Sequence, residues 1–157
     1  MRLIIETTWG KDIALNEAAI LILGSKTMDL HVEIEGETLY DNLEGDGLII
    51  ATPVGSTAYS YSSNGSVIHP ELDAYIITPV NPIDKRLSPI VVPGYFRTRV
   101  LIKRTSRPVK LIIDGVVERI LTQGVTIVAT LRGPTVNIAR YNKRWLRLPW
   151  RRKQYTY

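Results

Sequence analysis

The feature that most constrains this chain is its punctuation. β-Branched apolar runs recur at short intervals, and Gly, Pro, Asn or Asp closes each one before a helical repeat is established. Residues 2–8 read RLIIETT, and AAILILG ends at Gly24. In MDLHVEIEGETLY, Leu30, Val32 and Ile34 alternate with polar neighbours and the chain turns at Glu35-Gly36, the pattern of a half-buried strand entering a hairpin. GLIIAT is short and continuous, which predicts a strand buried on both faces. DAYIITPV, PIVVP, TRVLIKRT and VKLIIDGVVERI follow, the last with a hairpin signal at Asp114-Gly115. With VTIVATL and TVNIARY the total is about ten strands, which predicts a mainly β fold of the sandwich type. Its core is expected to include Ile20, Ile22, Ile34, Ile49, Ile76, Val91, Ile112 and Ile127.

Composition narrows the function. With 45% hydrophobic and 22% charged residues the chain has ordinary globular proportions. No apolar run approaches the ~20 residues that span a bilayer, and the first residues lack a signal-peptide pattern. There is no cysteine, and His31 and His69 stand apart without ligand spacing, so no metal site is expected. These features predict a soluble cytoplasmic protein without membrane partners.

The net charge of +5 hides an asymmetry: residues 1–84 hold 3 basic and 13 acidic side chains, residues 85–157 hold 17 basic and 2 acidic. Either one face meets a polyanion, or the two halves pair across the fold. Residues 140–157 carry seven of the basic side chains, no acidic one, and Tyr141, Trp145, Trp150, Tyr155 and Tyr157. We read residues 1–139 as one β domain and 140–157 as a basic aromatic segment. Docking of that segment on the same domain and binding of RNA, by phosphate attraction and base stacking, are both compatible with its composition.

One segment resists the strand reading. Residues 45–65, GDGLIIATPVGSTAYSYSSNG, run from a strand through Pro53 and Gly55 into small hydroxylated residues and tyrosines. Ser56 or Thr57 is suited to cap a helix start and Asn64-Gly65 to stop it, which predicts a short helix over 56–63. Unpaired N–H groups at such a start, with hydroxyls and a tyrosine ring beside them, form a corner that suits a nucleotide. A capped surface helix with serines facing water is the plainer reading.

The stretch GDGLIIATPVGSTAYS resembles the signature of the NAD kinase family in that family's carboxy-terminal domain. ALNEAAI at 14–20 is similar to its Asn-Glu motif, GSVIHPELDAYIITPVNP to the segment after the signature, and LSPIVVP and VKLIIDGV to the next two strands. The resemblance runs from about residue 14 to 120. It implies an NAD-kinase-type β-sandwich with one short helix. It also implies that Asn16 and Glu17 contact NAD, and that Thr57, Ala58 and Tyr59, with Ser62 nearby, line the adenosine pocket. Asp46 matches an aspartate that, in these oligomeric enzymes, reaches NAD bound mainly by a neighbouring subunit. An Asn amide suits the adenine edge, and a Glu carboxylate accepts hydrogen bonds from ribose hydroxyls.

NAD kinases of this family also carry a Gly-Gly-Asp-Gly-Thr motif in an amino-terminal domain, whose loop meets ATP. These 157 residues contain no such motif, and Gly45-Asp46-Gly47 belongs to the carboxy-terminal signature instead. The resemblance therefore implies the second domain alone: an NAD-binding domain without catalytic residues of its own, with ATP and Mg entering only if a catalytic half is supplied. It further implies a homo-oligomer, or a hetero-complex with a separate kinase half. The other reading is a non-catalytic scaffold subunit, with RNA or a ribonucleoprotein as partner.

Overall fold

The computed structural model describes residues 1–137. The apolar runs form twelve strands: β1 (Arg2–Thr7), β2 (Gly10–Ala14), β3 (Glu17–Ile22), β4 (Met28–Ile34), β5 (Glu37–Gly45), β6 (Gly47–Ala51), β7 (Ala74–Val80), β8 (Ile90–Pro93), β9 (Arg97–Thr105), β10 (Val109–Ile113), β11 (Val117–Leu121) and β12 (Thr126–Gly133). They build two six-stranded sheets, ordered β2-β1-β12-β9-β4-β5 and β11-β10-β3-β6-β7-β8. Every strand pair is antiparallel. This is the sandwich expected from the spacing of the runs.

Alternation along the strands explains the layers. Leu3 and Ile5 of β1, Leu30 and Val32 of β4, and Val100 and Ile102 of β9 face Ile20, Ile50, Ile77 and Leu111 of the other sheet in one shared core. The second sheet is apolar on its outer face too. Ala19, Ile49, Ala51, Ile76 and Val80 form a smaller cluster there, closed by Ile68 from the segment after the helix. β6 therefore reads as a continuous apolar run because it is buried on both faces.

Of the expected core, Ile20, Ile22, Ile49, Ile76 and Ile127 are buried, whereas Ile34 and Ile112 are only partly so. Val91 is a correction: it is 51% exposed. β8 is an edge strand of four residues whose register pairs Val91 with Ile76, and Val92 is the residue that turns inward. β2 was hidden in the sequence by its polar Gly-Lys-Asp start and forms the edge beside β1. At the far end, residues 135–137 form no strand, and the rest of TVNIARY and the whole of 140–157 lie outside the described residues.

The two hairpin turns follow their sequence signals. Glu35 and Gly36 take φ of 51° and 86°, Asp114 and Gly115 take 50° and 70°, the left-handed pairs that match strand twist. The charge asymmetry is also explained in part. On β9, Arg97, Arg99, Lys103 and Arg104 meet Glu6, Glu33, Asp41 and Asp29, and Arg119 meets Asp12, so acidic and basic halves pair across the fold.

The Ile76/Val91 pair gives a test of this layering. Ile76→Ala should cost roughly 2–5 kcal/mol in urea unfolding, and Val91→Ala, its cross-strand neighbour, should stay within about 0.5 kcal/mol of the parent.

Candidate functional site

The chain changes sheets where Ala14 of β2 gives way to Glu17 of β3. Leu15 and Asn16 make the crossing, and their backbone groups leave one ladder before joining the next. Two residues satisfy them. Asp114, in the β10–β11 turn, accepts the N–H groups of Leu15, Asn16 and Glu17 at 2.7, 2.7 and 3.1 Å, and its own N–H donates to the Glu17 carbonyl at 3.0 Å. Thr52, just past β6, donates its N–H to the Asn16 carbonyl at 2.8 Å and its hydroxyl to the Leu15 carbonyl at 2.7 Å. Gly55 then lies flat on Asn16. A Cβ there would stand 2.0 Å from the Asn16 carbonyl oxygen, so only glycine permits the approach.

The helical segment is a 3₁₀ turn, Gly55–Thr57, followed by α1, Tyr59–Ser62. It begins one residue before the expected range of 56–63, and Asn64 stops it with φ of 67°. Its start departs from expectation. Neither Ser56 nor Thr57 caps a helix. The Ser56 hydroxyl donates to the Pro53 carbonyl and accepts the Ile68 N–H, which ties the loop to the outer face of the sheet. The N–H groups of Gly55, Ser56 and Ala58 are already bonded to Thr52 Oγ1, the Thr52 carbonyl and the Gly55 carbonyl. The segment thus offers side chains and shape rather than an N–H cluster for an anion. Deeper in, Ser60 shares a hydrogen bond with Thr78 of β7 at 2.8 Å, seating α1 on the sheet.

Glu17 is the unusual group. It is 9% exposed, and its Oε2 has no hydrogen-bond partner among the described residues. Burial, reinforced by the nearby Asp114 charge, raises its pKa above the ordinary 4.5. An unpartnered carboxylate oxygen in this position is costly unless a donor reaches it.

The residues singled out from the sequence fall into two places. Asn16 meets Gly55, and Glu17 pairs with Ala51, at one end of β6. Thr57 is exposed there and Ala58 partly buried. Asp46 sits at the other end of β6, where the chain crosses from β5 to the second sheet, about 20 Å from Thr52 by strand rise. Its Oδ2 accepts the Asn81 side-chain amide at 2.8 Å. Asn81 lines a cleft of about 430 Å³ together with Tyr59, Ser62, Lys85 and Ser88. Tyr59 is 40% exposed, so its ring is a cleft wall rather than core. The opposite wall is held by Tyr40, whose hydroxyl donates to the Ser88 carbonyl at 2.5 Å and whose pKa burial pushes up to about 12. Asn81, Lys85 and Asp114 were not legible as site residues. Asp114 carried a turn signal within VKLIIDGV and Asn81 lies in GSVIHPELDAYIITPVNP, but neither was singled out for a site role, and Lys85 lies in a loop with no pattern.

The pH dependence of stability should report Glu17. The unfolded chain loses this proton near pH 4.5 while the folded chain keeps it to higher pH. In that window the native state binds more protons, so stability falls as pH rises. Glu17→Gln should remove this slope, seen as a flatter melting temperature against pH above 4.5. Separately, Gly55→Ala should destabilise the fold by several kcal/mol, roughly 3 or more, since a backbone carbonyl must move.

Comparison with known proteins gives this geometry a family. The family described as the ATP-NAD kinase C-terminal domain matches residues 15–135. The NAD kinase of Aeropyrum pernix is 38% identical over 130 residues, covering 83% of this chain and 45% of that protein. That of Pyrococcus abyssi is 42% identical over 103 residues, covering 65% and 36%. Among solved structures, yeast NADH kinase complexed with NADH superimposes with a TM-score of 0.75 at 29% identity, over 82% of this chain and 39% of that one. An NAD kinase from Archaeoglobus fulgidus in complex with ATP gives 0.71 at 28% identity, over 83% and 51%. The chain spans less than half the length of the two relatives named. No helix among the described residues is long and apolar enough to cross a membrane. With the family matched over most of its length, the chain belongs to the NAD kinases, of which it holds the carboxy-terminal domain.

Proposed function

We propose that this chain is the NAD-binding domain of an ATP-dependent NAD kinase, which transfers phosphate to the adenosine 2′-hydroxyl of NAD to make NADP. The observation that carries the proposal is the buried, unpartnered Oε2 of Glu17 beside Asn16. A ribose hydroxyl is a donor of the right kind for that oxygen, and the Asn16 amide suits the adenine edge. Thr57 and Ala58 form the adjoining wall, and Tyr59 offers a stacking face. Yeast NADH kinase, which shares the fold, was solved with NADH.

The separation of Asp46 from Asn16 along β6 supports a site shared between copies. In this reading Asp46 serves NAD held mainly by the Asn16–Glu17 corner of a neighbouring subunit. The functional unit is then a homo-oligomer.

Phosphoryl transfer rests on positioning and on neutralising phosphate charge. This domain supplies the first for NAD. The glycine-rich motif that meets ATP in the family is not in these 157 residues. Among the described residues no group of three or more His, Cys, Asp or Glu side chains comes together to hold a metal ion. ATP and its metal belong to a glycine-rich domain supplied by the rest of the protein or by another chain. Contacts from one domain alone must offset the whole cost of holding the ligand, so NAD binds weakly.

Titration of the chain with NAD, read by thermal shift, should show stabilisation in the millimolar range, and Asn16→Ala or Tyr59→Ala should abolish it. ATP and magnesium added without another domain should give no NADP. An absence of NAD-dependent stabilisation at millimolar ligand would overturn the proposal in favour of a non-catalytic scaffold. Retention of an RNA oligonucleotide through residues 140–157 would then be the observation that gives the scaffold its partner.

A further inference from the structure

We infer that Asp114 is a positioning residue for the nucleotide corner: by accepting the N–H groups of Leu15, Asn16 and Glu17 it fixes the direction in which the Asn16 and Glu17 side chains leave the backbone. The inference rests on the reading that those two side chains meet NAD.

Asp114 opens a left-handed two-residue turn before Gly115. For the turn alone, Asn-Gly serves at least as well as Asp-Gly. What Asn cannot do is accept with both heads of its side chain, because one head is an amide donor. Here both heads accept: Oδ2 takes the Leu15 N–H, and Oδ1 takes those of Asn16 and Glu17. These bonds join residues 97 to 99 positions apart, so no local preference accounts for them. Three successive N–H groups curled around one carboxylate make a concave anion seat, filled in this fold by a side chain. The Asp114 N–H returns a bond to the Glu17 carbonyl at 3.0 Å, and the turn and the crossing are latched in both directions.

The charge matters as well as the shape. Asp114, on the β10–β11 turn, is the ionisable group that faces Glu17. Across the β3–β6 ladder Glu17 pairs with Ala51, which carries no charge. On the flanking strands, Lys110 of β10 pairs with Glu118 at 2.6 Å and Asp12 of β2 with Arg119 at 2.9 Å. Asp114 therefore disfavours an ionised Glu17 until a ligand hydroxyl is there to donate to it.

Asp114→Asn keeps the size and the turn while removing one acceptor and the charge. It should stay folded and weaken NAD binding by about tenfold. The charge predicts a second effect, which a purely structural role does not. NAD binding should strengthen as pH rises through the Glu17 transition, and in Asp114→Asn that rise should move to lower pH. Unchanged affinity together with an unchanged pH profile would overturn the inference. Hydrogen exchange on the parent chain decides the geometry even if the variant unfolds. The Leu15, Asn16 and Glu17 amides should be protected like those of the β3–β10 ladder, and exchange at loop rates would overturn the clamp. If the parent itself shows no NAD-dependent stabilisation, it is the NAD reading that fails, and the exchange result still settles the clamp.

Discussion

The described architecture turns on one constraint: a chain that changes sheets must satisfy the backbone groups it takes out of one ladder before they enter the next. At Leu15–Asn16 those groups are met by Asp114 from one hairpin and Thr52 from another. Both partners come from the second sheet, and both are distant in sequence. The corner is consequently rigid without belonging to any strand. It presents Asn16 and Glu17 from a fixed backbone, with Gly55 closing down on it because no side chain intervenes.

The second sheet is what makes a site at that corner possible. Its outer face is apolar and is partly covered by the segment from Pro53 to Ile68, anchored by Ser56, Ser60 and Ile68. These buried hydroxyls do structural work: they fasten a short helix that by itself is too brief to be stable. The exposed neighbours, Thr57, Tyr59 and Ser62, are thereby held in place over the sheet. Alternation within one eight-residue stretch thus separates buried anchors from exposed side chains. Asp46 occupies another of the sheet crossings, from β5 to β6, so the two places marked by the family signature lie at either end of β6.

Much of the fold was legible because strand periodicity and turn chemistry are local. Glu35-Gly36, Asp114-Gly115 and Asn64 sit where short-range backbone preferences put them. Val91 was misread because an edge strand and a buried one carry the same apolar letters, and only the sheet order distinguishes them. The roles of Ser56 and Thr57 were misread for a related reason. A hydroxyl near a helix start is equally able to cap it or to bond elsewhere, and the contact with Ile68, twelve residues on, decides it. Asp114 was visible as a turn and invisible as a clamp, since its partners lie on the far side of the sequence. The family signature pointed at Asn16, Glu17, Asp46, Thr57, Ala58, Tyr59 and Ser62 as a set. Their division between two ends of β6 needed the three-dimensional register.

The most direct test of this account is a map of backbone amide shifts in the chain as NAD is added. The account predicts shifts concentrated at Leu15–Glu17 and Gly55–Tyr59, with a second group around Asp46 and Asn81 that grows with protein concentration as copies associate. Shifts confined to the outer face of the first sheet around β9, or none at millimolar NAD, would contradict it.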